Sequence, residues 1–185
     1  MKFLTLIFAA SLVFSSTAYS ASADKKRAKT LNMRAEVLAS LYEEKPEAEQ
    51  MIRVAEGYAV FSNIGINVVF FSAGGGTGVV HDNSNNKDTY MNMASAGFGL
   101  GLGVKDFRGI FIFHSRSALN RFVEYGWDFS GQVDAAAKSG EKGREENLAA
   151  TAVNGVTLYQ LTKNGLALQA TLQGTKYWKD KKLNK

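Results

Sequence analysis

The sequence predicts an α+β fold: two N-terminal helices, then a strongly curved, barrel-like antiparallel Gly-rich sheet, with one helix inserted near residues 115–124. Three observations carry this. Apolar residues recur at three- and four-residue steps up to Gly57, all 18 glycines lie between Gly57 and Gly174, and beyond Gly57 the apolar residues alternate as in strands. With 185 residues, 45% of them apolar, the chain is expected to form one packed domain with no linker.

At the N-terminus, Lys2 precedes the apolar run Phe3 to Phe14, the small polar stretch Ser15 to Ser22 and the triplet Ala21-Ser22-Ala23. This is the layout of a secretory signal peptide, residues 1–23, with Ala18-Tyr19-Ser20 offering a second cleavage point. So short a run falls below the ~20 residues that span a bilayer as a helix. Residues 24–185 are expected as a single exported domain, periplasmic or secreted and peripheral to a membrane.

Lys25 to Glu44 reads as a helix with the stripe Ala28, Leu31, Ala35, Leu38, Leu41 and Tyr42, and with Lys26, Arg27 and Arg34 along its margin. Pro46 suits the first turn of a second helix, built on Ala48, Met51, Ile52 and Ala55 and ended by Gly57. Strands are expected at 58–61, 68–80, 89–104, 109–113, 127–137, 155–163 and 166–177, a sheet core spanning 58–177. Tight turns at Asp82 to Asn86 and at Lys163-Asn164-Gly165 make neighbouring strands antiparallel. Ser115 or Ser117 caps the inserted helix, and the polar run Lys138 to Asn147 is a loop or a short helix start.

In Gly97-Phe98-Gly99-Leu100-Gly101-Leu102-Gly103-Val104, strand alternation puts every glycine on one face. A bare face calls for close backbone approach or a sharp bend, and Gly74-Gly75-Gly76-Thr77-Gly78 predicts a similar bend in the preceding strand. Packing is the expected role; a surface opened for an acyl chain is the alternative.

Enzyme chemistry has little to stand on. There is no cysteine, and His81 and His114 are the two histidines, each at a strand boundary. The glycines at 97, 99, 101 and 103 keep a strict period of two rather than the G-x-G-x-x-G spacing. No G-x-x-x-x-G-K-[ST], G-x-S-x-G or H-E-x-x-H occurs. No enzyme activity, cofactor or metal is expected.

Charge is placed at the ends. Lys25, Lys26, Arg27 and Lys29 stand against Asp24, and Lys176, Lys179, Lys181, Lys182 and Lys185 against Asp180, while residues 30–175 hold 12 basic and 15 acidic side chains. Two basic ends flanking an acidic body read either as solvated termini or as attraction to an anionic surface. Export disfavours nucleic acid.

Gly57-Tyr58-Ala59-Val60-Phe61 with Ile64-Gly65, Gly78-Val79-Val80 and Ala96 through Gly103 resemble the SYLF domain, a lipid-binding family that includes yeast actin-patch proteins. Later landmarks follow in family order: Ile110-Phe111-Ile112-Phe113, Ser115 with Ala118-Leu119 and Phe122, Gly131 with Asp134-Ala135, Gly143-Arg144, and Gly165-Leu166 with Ala170, Leu172 and Gly174. The resemblance spans roughly residues 31 to 180. It implies a domain that binds membrane lipids, phosphoinositides in eukaryotic relatives and actin in some, led by a basic amphipathic N-terminal helix. Ile66 to Phe71 departs from the glycine-rich, basic strand of relatives, and the acylated cysteine of bacterial lipoprotein relatives is missing. At this length no SH3 or FYVE module is expected, and actin is not the partner expected of an exported chain.

The function expected is therefore non-enzymatic binding of anionic phospholipid at an envelope membrane surface. The residues assigned to it are Lys25, Lys26, Arg27, Lys29 and Arg34 on the first helix, with Lys176, Trp178, Lys179, Lys181 and Lys182 in the basic tail 176–185. Tyr177 and Trp178, between lysines, read either as interfacial aromatics at a headgroup boundary or as edge packing of the last strand. Two alternatives stand beside it: an envelope structural or protein-interaction module without a lipid ligand, and a small outer-membrane barrel.

Overall fold

The computed structural model describes residues 4–63, 75–95, 108–128, 150–153, 155–162, 165–166 and 175–185, with the side chains of the first helix described from Ala21 onward. The expected strand at Gly97–Val104, the run Ile66–Phe71 and the polar stretch Lys138–Asn147 lie outside the described residues.

Helices α1 (Leu4–Glu44) and α2 (Glu47–Val54) precede strands β1 (Gly57–Ser62), β2 (Gly75–Asp82), β3 (Lys87–Ser95) and β4 (Arg108–Phe113). Helix α3 (Arg116–Tyr125) follows, then β5 (Trp127–Asp128), β6 (Ala150–Val153), β7 (Val156–Thr162), β8 (Gly165–Leu166) and β9 (Thr175–Lys179). Every described pairing is antiparallel, in the order β5-β9-β3-β2-β1-β4-β7-β6 with β8 beside β7, and the sheet curls strongly. The α+β class and the curled antiparallel sheet are as expected.

β1 and β4 occupy the middle and are buried on both faces, which explains the unbroken run Ile110-Phe111-Ile112-Phe113. Phe111 and Phe113, with Phe61, pack under Leu119 and Phe122 of α3 and against Tyr177. Ile110 and Ile112, with Val60, pack under Val37 and Leu41 of α1 and Ala48 and Ile52 of α2. The result is three layers: α1 and α2, the sheet, and α3. Among the described residues, the central strands are covered by helices on both faces.

Four details differ from the sequence reading. First, α1 starts at Leu4 and runs unbroken through residues 21–24. Second, its packed side follows the expected stripe only in part: Leu41 is buried and Leu31, Leu38 and Tyr42 are half-buried, but Ala28 and Ala35 are exposed while Thr30 and Val37 are buried. Arg27 and Arg34 lie on this side too, because protein acceptors meet their polar ends. Third, Pro46 is the N-cap of α2 rather than part of its first turn, and Ala55, with extended backbone, ends the helix. Gly57 instead begins β1, where a Cβ would meet the His81 carbonyl and the Leu119 side chain. Fourth, β6 was not anticipated, since Ala150 to Val153 is too short and small to stand out as a strand.

The β2–β3 turn falls where expected, with Asn86 at φ 56°. Its Asn83 Nδ2 donates to the carbonyls of Ile52 (2.8 Å) and Ala55 (2.9 Å), capping the end of α2. Ser115 caps α3 by accepting from the Ala118 N–H, as expected. Arg116 then fastens α3 to the sheet edge, donating to Asp82 Oδ2 at 2.7 Å and Glu56 Oε2 at 2.6 Å.

The bare face of β2 is filled from its neighbours. Phe61 is the cross-strand partner of Gly78, and Met93 of Gly76. A Cβ on Gly78 would strike the Phe61 ring and stand 2.6 Å from the Val60 carbonyl oxygen. Gly78→Ala is therefore expected to lower stability by about 2 kcal/mol, read as a lower urea midpoint with unchanged slope. An unchanged midpoint would contradict this packing.

Burial alone would raise the Asp82 carboxyl, but hydrogen bonds from Arg116 and Ser84, with the Arg116 charge, bring it down to about 2 from an ordinary 3.8. A depressed carboxyl stabilises the fold above its unfolded value and loses that contribution as pH falls through its folded one. The urea midpoint is thus expected to fall between pH 5 and pH 2, and Asp82→Asn to give a lower midpoint at pH 5 and a shallower decline. Equal slopes in the two proteins would contradict the assignment.

Candidate functional site

The two basic ends, more than 150 residues apart in sequence, meet on one side of the sheet. Beyond β9 the chain turns back: Asp180 Oδ1 accepts from the N–H groups of Lys182 (2.8 Å) and Leu183 (3.0 Å). The Asn184 side chain then imitates a strand backbone beside β3, accepting from Tyr90 N (2.9 Å) and donating to Tyr90 O (2.7 Å). This places Leu183, only 6% exposed, among Val79, Tyr90 and, from α1, Ala23 and Leu31.

Arg27 closes the contact. Its Nε donates to the Leu183 carbonyl at 2.9 Å and its guanidinium also reaches the Lys185 carbonyl (3.3 Å) and Asp24 (2.7 Å). Arg34, one heptad further, donates to Asp88 Oδ1 at 2.7 Å, and His81 Nδ1 holds the same oxygen at 2.7 Å beneath the Tyr58 ring. Arg27 and Arg34 therefore bind helix to sheet.

The remaining assigned residues divide clearly. Lys25, Lys26 and Lys29 are exposed on α1, and Lys179, Lys181 and Lys182 are exposed on β9 and the turn after it. Lys176 pairs with Asp128 at 2.8 Å on the β5 side. Trp178 is half-buried. Tyr177, which the sequence reading placed with it at a headgroup boundary, is instead a core residue against Phe61, Phe111 and Phe122. Burial there drives its phenol far above the ordinary range. Nearby, Asp180 accepts from backbone N–H groups and Asp24 pairs with Arg27.

Sequence reasoning missed the clasp formed by Leu183, Asn184 and Asp88. One signal was available: Leu183 is the single aliphatic residue in an otherwise charged and polar run from Lys179 to Lys185. Among the described residues, no three His, Asp or Glu side chains gather as a metal site would require, and no helix is long and apolar enough to cross a membrane.

These features define an α+β domain whose two basic ends are held together by Arg27 and Leu183, with exposed lysines on each; Lys179 lies on the side of the sheet that Tyr177 and Met91 face, opposite α1. Residues 94–185 match the family model of Ysc84, described as Las17-binding protein actin regulator. This segment, about half of the chain, belongs to that family, that of the SYLF domain. The chain is similar to beta cell expansion factor A of Aeromonas veronii, with 34% identity over 146 residues, 79% of this chain and 54% of that protein. The chain thus spans about half the length of this curated relative.

The clasp makes a direct prediction. Leu183→Ser is expected to cost about 2 kcal/mol of stability and to open the bonds after Lys179, Lys181 and Lys182 to trypsin before the body is cut. A tryptic pattern identical to that of the native protein would contradict a docked tail.

Proposed function

We propose that this protein binds anionic phospholipid at an envelope membrane surface, without catalysis, through Lys25, Lys26 and Lys29 of α1 and Lys181 and Lys182 of the tail. The observation that carries the reading is the clasp from Arg27 to Leu183, which holds the two basic segments together. Each lysine near an anionic leaflet gains about 1 kcal/mol, so these five together give useful affinity without any inserted helix. Such attraction fades as salt shortens the Debye length.

In this reading α1 adsorbs while still packed on the sheet, since its apolar side is already buried against Val60 and Ile110. Residues 1–23 serve as the export signal, and the domain acts in the periplasm or outside the cell. Phosphoinositide-type headgroups represent the eukaryotic version of the same chemistry. Las17 and actin, which the family description names, are cytoplasmic-type partners that an exported domain would not meet.

Flotation with vesicles tests this. The protein is expected to float with vesicles containing phosphatidylglycerol, not with neutral phosphatidylcholine, and to be released by moderate salt. Lys25→Glu, Lys26→Glu, Lys181→Glu and Lys182→Glu together are expected to weaken binding by at least about tenfold. Binding unchanged by these substitutions would refute the proposed role of these lysines. No binding to either vesicle would favour an envelope interaction module.

A further inference from the structure

A second feature lies where the sheet core ends under α1. Ser62 and Arg108 are cross-strand partners at the ends of β1 and β4, two residues beyond Val60 and Ile110, and so on the same, α1-facing side. Between them and α1 is a cleft of about 490 Å³. This falls within the roughly 300–1,000 Å³ of sites for small organic ligands. Among the described residues its apolar wall is Met33 and Val37, and its charged groups are Lys29, Arg108 and Glu36.

Arg108 is the informative member. It is half-buried, and no carboxylate of the described residues is ion-paired with it. A guanidinium stays charged at any physiological pH and offers a planar fork of donors matched to a carboxylate or phosphate. A partly desolvated arginine beside an apolar wall suits a ligand that has an anionic head and a hydrocarbon tail.

We propose that this cleft binds one molecule of a single-chain anionic amphiphile, its head between Lys29 and Arg108 and its chain along Met33 and Val37. The proposal goes beyond the membrane reading: Lys29 serves both, but here the ligand is taken singly from solution and Arg108 is no part of the membrane-binding lysines.

The chain has no cysteine, so Ser40→Cys places a single thiol in the cleft wall. Alkylation of that thiol in the full chain would be timed with dodecanoate, dodecyl phosphate, dodecanol or inorganic phosphate, each below its aggregation threshold. Dodecanoate and dodecyl phosphate are expected to slow alkylation severalfold and saturably, whereas dodecanol and inorganic phosphate leave it nearly unchanged. Arg108→Gln is expected to raise the half-saturating concentration about tenfold, and Arg108→Lys less.

No protection by either amphiphile would overturn the proposal. Equal protection by inorganic phosphate would reduce the cleft to a free-anion site, and equal protection by dodecanol would remove headgroup recognition; either result rejects it. Should Arg108→Gln fail to fold, the comparison of dodecanoate with dodecanol on native Arg108 still decides. Flotation without cleft protection leaves the membrane reading standing alone, and protection without flotation leaves the cleft alone.

Discussion

The double burial of β1 and β4 is the constraint on which the rest of this structure depends. Two central strands with apolar side chains on both faces need a layer on each side, and α3 supplies only one of them. The other must come from the N-terminal helices, so α1 is committed to the sheet through Val37 and Leu41. At the far end of α1 the sheet is less apolar, and polar contacts take over from burial. Arg34 to Asp88 and Arg27 to the Leu183 carbonyl extend the attachment across β2 and β3.

This division of labour along one helix governs what the helix can do at a surface. A free amphipathic helix would offer its apolar side to lipid, but here that side is occupied and two of the five cations assigned to α1 serve as fasteners. What remains is charge, and the docking of Leu183 and Asn184 adds the tail's lysines to it. Under the proposed membrane reading, the attraction that follows is electrostatic, reversible and sensitive to ionic strength. The name of the Aeromonas relative concerns a protein nearly twice as long as the shared segment, so its biology belongs to that protein.

Much of the fold was legible because the local signals were strong and agreed with the packing. Ser115 precedes a short amphipathic helix and caps it, and the Asp82 to Asn86 cluster closes a hairpin. Ile110 to Phe113 lacked alternation because it lies between two layers. The failures share a physical cause: they depended on partners distant in sequence. The packed side of α1 was misjudged because arginine counts as a surface residue until an acceptor such as Asp88 is known to face it. Gly57 resembled a helix stop, yet its need for a bare Cα comes from Leu119, more than sixty residues later. Tyr177 beside Trp178 resembled an interfacial pair, although strand alternation sends the two rings to opposite faces. The lysines of the site could be read from composition; the joining of the two basic ends could not, because it rests on Asn184 meeting the Tyr90 backbone.

The most direct measurement is amide hydrogen exchange over residues 23–41 and 175–185, free and on phosphatidylglycerol vesicles. The account predicts slow exchange in both segments in the free protein and no loss of protection on the vesicles, since α1 and the tail adsorb as a docked unit. Rapid exchange of residues 23–34 on the vesicles would mean that the helix peels away from the sheet to bind, and would contradict the account.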